Sequence, residues 1–231
     1  MSEFIKEHGK NAGSDWQRVV WLHELAQNCR LFYSPKPISL CESKISYERI
    51  EKFISGIELC FSNDPAEKFY RIGMALAAIH EKARTEDCNP VNLHGDFGLV
   101  NLGWSMEKSM PVIFDPLPSA FYPYHGALGD RYYDLGQLVS TFFTPANSLA
   151  LMRGDSRLLE KCLHSFMLGY QYSAQLIIDR GKLARFARTI FRRHLLLRIA
   201  SENPVVRILL VPLVWLQQRR MLGVIACLTT D

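Results

Sequence analysis

The chain has 231 residues, 48% of them hydrophobic and 22% charged, a balance that can bury a substantial core in one or two domains and argues against disorder. The formal net charge of +4 is too small to argue for nucleic-acid binding. Six scattered cysteines without a C-x-x-C pair favour reduced thiols in a cytoplasmic setting over a disulfide frame or a zinc site, and the first ten residues lack the apolar run of a signal peptide.

Glu3 to His8 reads as a short strand, followed by a turn from Gly9 to Ser14. A helix is expected from Asp15 to about Asn28, with Trp16, Val19, Val20, Leu22 and Leu25 apolar and Ser14 or Asp15 as its cap. Pro35 and Pro37 mark a loop. Ile38–Leu40 and Ile45–Ile50 read as two further strands that complete a small sheet, and 51–56 reads as a linker. Asn63-Asp64-Pro65-Ala66-Glu67 opens a second helix. Asp64 suits the cap, Pro65 the first turn, and Glu67 a capping box. Phe69, Ile72, Leu76, Ile79 and Ala83 form its apolar stripe.

The most informative stretch is His94-Gly95-Asp96-Phe97-Gly98-Leu99-Val100-Asn101, followed by Ile113-Phe114-Asp115. Strands at Val100–Trp104 and Pro111–Phe114 would place Asn101 and Asp115 on one rim of a site. Phosphoryl transfer from a nucleotide needs such a set. One carboxylate orients and deprotonates the attacking hydroxyl, while an amide oxygen and a second carboxylate hold magnesium against the phosphates. Read singly, Asp96 is equally a turn aspartate after Gly95 and Asp115 a strand-terminal one before Pro116.

At these residues the sequence resembles the kinase-like phosphotransferases, most closely the aminoglycoside phosphotransferase family, whose catalytic loop is H-G-D, four residues and Asn. Gly129-Asp130-Arg131-Tyr132-Tyr133-Asp134-Leu135 is similar to that family's later G-D-x-x-x-D-L. The resemblance implies an α+β, protein-kinase-like two-lobed fold. A truncated small β-lobe would span residues 1–56, and a mainly helical large lobe 57–231. It implies Asp96 as the catalytic base, Asn101 and Asp115 as Mg2+ ligands, and His94 and Asp134 as structural support of the loop. Lys6 would contact ATP phosphates and pair with Glu24, eighteen positions on. Backbone groups of the 51–56 linker would hold the adenine, and His80 would be structural. Only five residues precede Lys6, so the glycine-rich hairpin that covers the phosphates is expected to be missing, to lie upstream of Met1, or to be supplied by residues from elsewhere. Its loss would cost several kcal/mol of phosphate binding.

The segment 117–128 is rich in aromatics (Phe121, Tyr122, Tyr124) and includes His125. It reads as an acceptor pocket or as loop packing. Asp130 to Phe143 reads as a helix with Leu135, Leu138, Val139 and Phe142 inward. Ser156–Ile178, Leu183–Ala200 and Pro204 to about Arg220 read as helices, with ten Lys and Arg side chains between Arg180 and Arg220. This basic set suits a solvated face, or a peripheral membrane contact. Ile208–Leu216 is too short to span a bilayer, which takes about 20 apolar residues. The expected partners are therefore ATP with Mg2+ and a small-molecule or glycan hydroxyl acceptor. The alternative is a catalytically inactive kinase-like binding or regulatory module.

Overall fold

The computed structural model describes residues 3–8, 12–80, 90–116, 128–144, 156–200 and 204–228; for 156, 196–200 and 204–210 it describes the backbone only. The expected turn at Gly9, the helix residue Ala83 and the aromatic segment with Phe121, Tyr122, Tyr124 and His125 lie wholly or largely outside these residues.

A small antiparallel sheet comes first. Strands β1 (Glu3–Glu7), β2 (Pro37–Cys41) and β3 (Lys44–Glu48) lie in the order β1-β3-β2. Lys6 pairs with Ile45 and Phe4 with Tyr47, so side-chain alternation puts Phe4 and Lys6 on one face. Helix α1 (Ala12–Cys29) covers that sheet through Trp16 and Val19 against Ile45 and Tyr47. The helix starts three residues earlier than the sequence suggests. Asp15 therefore sits inside its first turn, buried, within hydrogen-bond distance of His8 (3.2 Å), and is not the cap.

The expected linker is partly sheet. Strand β4 (Phe53–Ser55) pairs with β6 (Leu102–Ser105), which pairs in turn with β7 (Met110–Ile113). Phe53–Ser55 is thus hydrogen-bonded to the strand that follows the 94–101 loop. A one-turn helix α2 (Gly56–Leu59), which sequence reading misses, follows with a Ser55–Glu58 capping box.

Helix α3 (Pro65–Ile79) begins as expected at Pro65, but Asp64 has a left-handed φ of 50° and makes no side-chain cap. The proline fixes the entry without it. Its stripe, Phe69, Ile72, Leu76 and Ile79, is fully buried. It packs on α5 (Ser156–Ala174), and the two backbones approach so closely at Gly73 and Gly169 that a Cβ at either would strike the other helix's main chain. Helix α4 (Tyr132–Phe142) carries Leu135, Leu138, Val139 and Phe142 into the same core and packs on α6 (Arg180–Ala200). Each buried leucine or phenylalanine contributes roughly 1.5–3 kcal/mol.

Leu183, Ala187, Ile190, Phe191 and Leu195 of α6 face inward, while Arg185, Arg188, Arg192 and Arg193 are exposed. Of the apolar residues that interleave with the arginines in sequence, Leu183, Ile190, Phe191 and Leu195 are thus used internally. Helix α7 (Pro204–Cys227) runs seven residues past Arg220 and contains Pro212. Among the described residues, no helix is long and apolar enough to cross a membrane.

Candidate active site

Strand β5 (Val91–Asn92) leads into the 94–101 loop, and β8 (Leu128–Gly129), its partner, leads into α4. This pairing brings Asp134 under the loop. Asp134 is fully buried and accepts from His94 N (2.7 Å) and Gly95 N (2.9 Å), with His80 Nε2 at 3.1 Å. Gly95 adopts φ 88° to present its N–H, a conformation that costs a residue without a Cβ nothing. Burial alone raises the Asp134 pKa; the hydrogen bonds and the neighbouring histidines overcome it, and the net shift is downward. His80 is locked from the other side, its Nδ1 2.7 Å from the Tyr170 hydroxyl. Phe97 anchors the loop in the core, 6.2 Å from the Phe166 ring and 5.4 Å from that of His94.

His94 is buried and donates from Nε2 to Phe114 O (3.0 Å), while its Nδ1 accepts from Asp96 N (3.3 Å). Both bonds suit the neutral ring. The imidazole ties the loop to the residue before Asp115, and burial pushes its pKa down to about 4. A histidine that stays neutral when folded but protonates near 6.5 when unfolded makes stability rise with pH between those values. That contribution, about 3 kcal/mol, is complete above pH 6.5 and is lost as pH falls towards 4. Chemical denaturation across this window should show a shallower slope in His94→Gln than in the parent chain.

Asp96 is half-buried. Its carboxylate accepts from Asn101 Nδ2 (2.7 Å) and from Gln137 Nε2, and Asn101 Nδ2 also reaches the Asp96 carbonyl (2.9 Å). Burial raises the Asp96 pKa; the Asn101 and Gln137 hydrogen bonds and the Lys6 charge oppose this without cancelling it. The bonds leave the Asn101 amide oxygen to point elsewhere, on a 3₁₀ turn (Leu99–Asn101) just before β6.

Asp115 follows β7 with φ 65°, a left-handed conformation unusual for a residue with a side chain. One carboxylate oxygen accepts from Lys6 Nζ. The other, Oδ1, is buried without a hydrogen-bond partner, an arrangement that costs free energy unless a cation or water satisfies it. Burial lowers the Lys6 pKa, and the carboxylates of Asp96 and Asp15 oppose this. Lys6, on the small sheet, therefore connects to the acidic groups of the later segment: it pairs with Asp115 and feels the charge of Asp96.

The expected Lys6–Glu24 pair is not formed. Glu24 is exposed, and Lys6 turns to Asp115. Helix phase explains it. At 100° per residue, the nine positions from Asp15 to Glu24 place them on opposite sides of α1, and the inward side holds Asp15, Val19, Leu22 and Ala26. Sequence reading also misses Arg18, on the inward side of α1. Its guanidinium donates to the carbonyls of Leu93, His94 (3.3 Å) and Pro116 (3.1 Å), clamping the loop to the Asp115 segment. The only signal for it is its place one turn after Asp15. Gln137, three residues after Asp134 on α4, is the other omission.

The oxygen donors suit Mg2+, which takes one or two protein oxygens and fills its octahedron with phosphate and water. Asn101 and Asp115 supply an amide and a carboxylate, and among the described residues no group of three His, Cys, Asp or Glu gathers into a self-sufficient metal cage. A cavity of about 370 Å³ is walled by Phe4, Tyr47, Phe53 and Phe114, the last of these next to Asp115 in the chain, and edged by Glu48, Arg49 and Ile50. This is within the size range of small-molecule sites. Of the 51–56 stretch, Phe53 lines it, together with Glu48, Arg49 and Ile50 just before that stretch.

No family model matches the sequence, and no curated protein is significantly similar to it. Solved structures do match. The chain resembles the choline kinase LicA from Streptococcus pneumoniae with 15% identity and a TM-score of 0.51, over 97% of this chain and 85% of that one. LicA in complex with AMP gives 14% identity and a TM-score of 0.53, over 98% and 85%. The chain has the protein-kinase-like, mixed α+β fold with a helical majority.

Proposed function

We propose that this chain is an ATP- and Mg2+-dependent phosphotransferase acting on a hydroxyl of a small molecule. The observation that carries the reading is the gathering of Lys6, Asp96, Asn101 and Asp115, joined by the Lys6–Asp115 and Asp96–Asn101 contacts and by the Lys6–Asp96 charge interaction, with one Asp115 oxygen buried and unpartnered. The solved relatives agree in class: one is a choline kinase, and a LicA structure holds AMP.

In this reading the adenine enters the aromatic cavity between Phe4, Tyr47, Phe53 and Phe114. Mg2+, when bound by Asn101 and Asp115, neutralises charge on the phosphates. Lys6, on the same strand face as Phe4, exchanges part of its contact with Asp115 for a phosphate oxygen. Asp96 accepts the proton of the acceptor hydroxyl. The acceptor oxygen bonds to the γ-phosphorus as the bond to the bridging oxygen breaks, and ADP leaves. Asn101 and Gln137 hold the Asp96 carboxylate in place, so catalysis is mainly positioning and electrostatics.

The test is transfer from γ-labelled ATP to a panel of choline, ethanolamine and monosaccharides, with and without Mg2+. A phosphorylated product that forms only with the metal is expected. Magnesium-independent binding without product for any acceptor would favour a non-catalytic module.

A further inference from the structure

We propose that the α6–α7 hairpin docks on an anionic lipid surface, with Val211, Trp215 and Leu216 entering the headgroup–acyl boundary and Arg185, Arg188 and Arg192 beside the phosphates. This rests on no feature of the nucleotide site. Val211, Trp215 and Leu216 are 58%, 59% and 57% exposed on consecutive turns of α7. Arg185, Arg188 and Arg192 recur at i, i+3 and i+7 of α6, which makes them one exposed row.

The two features are neighbours. Arg192 Nε donates to Gln218 Oε1 (2.9 Å), and Gln218 lies one turn from Trp215 and two from Val211. At the far end Arg180 donates to the Ala226 carbonyl (3.1 Å), so the helices run antiparallel and the arginine row leads away from the apolar residues, with Arg192 at its near end. The Arg219 guanidinium lies 5.3 Å over the Trp215 ring, an arrangement that keeps a charge next to an amphipathic aromatic, as membrane interfaces do.

Charge points to the occupant. Residues 180–231 hold ten Lys and Arg against two Asp and Glu, whereas 1–179 hold seventeen against twenty-one. The chain is thus acidic over its first part and strongly basic at one end. Between Arg180 and Leu228 the only acidic residue is Glu202, so the basic row lacks acidic partners within its own helices. An apolar stripe adjoined by arginines that have no acidic residue within their own helices, on helices too short in apolar length to span, is the pattern of an element lying in the interface plane.

The test is co-sedimentation of the full chain with vesicles of phosphatidylcholine alone and of phosphatidylcholine with phosphatidylglycerol. Binding to the second only, weakening as salt rises, is expected. Arg185→Gln and Arg188→Gln should each weaken it by about fivefold. Trp215→Phe should retain binding but lose most of the blue shift in tryptophan emission on adding vesicles. All three positions are exposed, so folding is not at stake. Equal or no sedimentation with both vesicle types overturns the proposal. So does binding indifferent to the arginine changes, or a lipid-independent dimer that Trp215→Ser dissociates, which would give the face to a second copy.

Discussion

Asp96→Asn should lower kcat for phosphate transfer by about 100- to 10,000-fold, the usual contribution of a positioned general base, while the affinity for ATP changes little. The split follows from geometry. Asp96 is held by Asn101 and Gln137 and does not itself pair with Lys6, whereas Asp115 does. An asparagine fits the same space but cannot take a proton. The pH profile adds a second signature. Burial holds the Asp96 pKa above the ordinary carboxylate value, and a base works only when deprotonated. Activity should therefore fall as pH drops through that raised pKa, and the acidic limb should be absent from whatever rate Asp96→Asn retains. Steady-state kinetics over an acid-to-neutral series reads both effects. Equal turnover in variant and parent would remove Asp96 from this role.

Asp134→Asn should be the most destabilising single substitution near the site. The carboxylate is fully buried and accepts from two backbone N–H groups of the loop. An amide can accept through only one atom, so it turns an N–H2 towards one of these donors or leaves it unsatisfied. Breaking a buried, hydrogen-bonded charge of this kind costs about 3–5 kcal/mol. For a chain of this size that lowers Tm by about 10 °C. The Asp134 pKa is held below the ordinary value, so its stabilising contribution is present above the unfolded carboxylate pKa. That contribution is lost as pH falls through the folded one, and the gap between parent and variant should narrow in acid. Thermal melts at neutral and acidic pH measure this; an unchanged Tm would mean that the loop is held by other contacts.

What sequence could reveal depended on how local each interaction is. His94, Gly95, Asp96 and Asn101 lie within eight residues, and their spacing alone suggested one loop. Asp115 was reachable because it ends a short hairpin with a clear apolar pattern, and Asp134 because the 129–135 stretch resembles a family motif. Lys6 was placed on the right strand, but its partner lies 109 positions away, and no periodicity reports such a pairing. Glu24 was chosen by separation along the chain, whereas its helix phase turns it outward. Asp64 looked like a cap by residue type, yet its left-handed backbone removes the side chain from that duty. Gln137 and Arg18 act through tertiary contacts to a carboxylate and to carbonyls, for which their residue types give no advance signal. The apolar spacing of α6 alone could not say that Leu183, Phe191 and Leu195 pack on neighbouring helices, because amphipathic spacing cannot tell lipid from a neighbouring helix.

The most direct measurement is the thermal shift produced by ATP, with and without Mg2+, in the parent chain and in Asp115→Asn. Ligand at 100 times its dissociation constant stabilises by about 2.7 kcal/mol, a readily measured rise in Tm. The parent should show a rise that depends on magnesium, and Asp115→Asn should lose that dependence, because the unpartnered Oδ1 is the atom the metal would satisfy. No shift at millimolar ATP, or a shift of the same size with and without magnesium in both proteins, would contradict a shared nucleotide–metal site at Lys6, Asp96, Asn101 and Asp115.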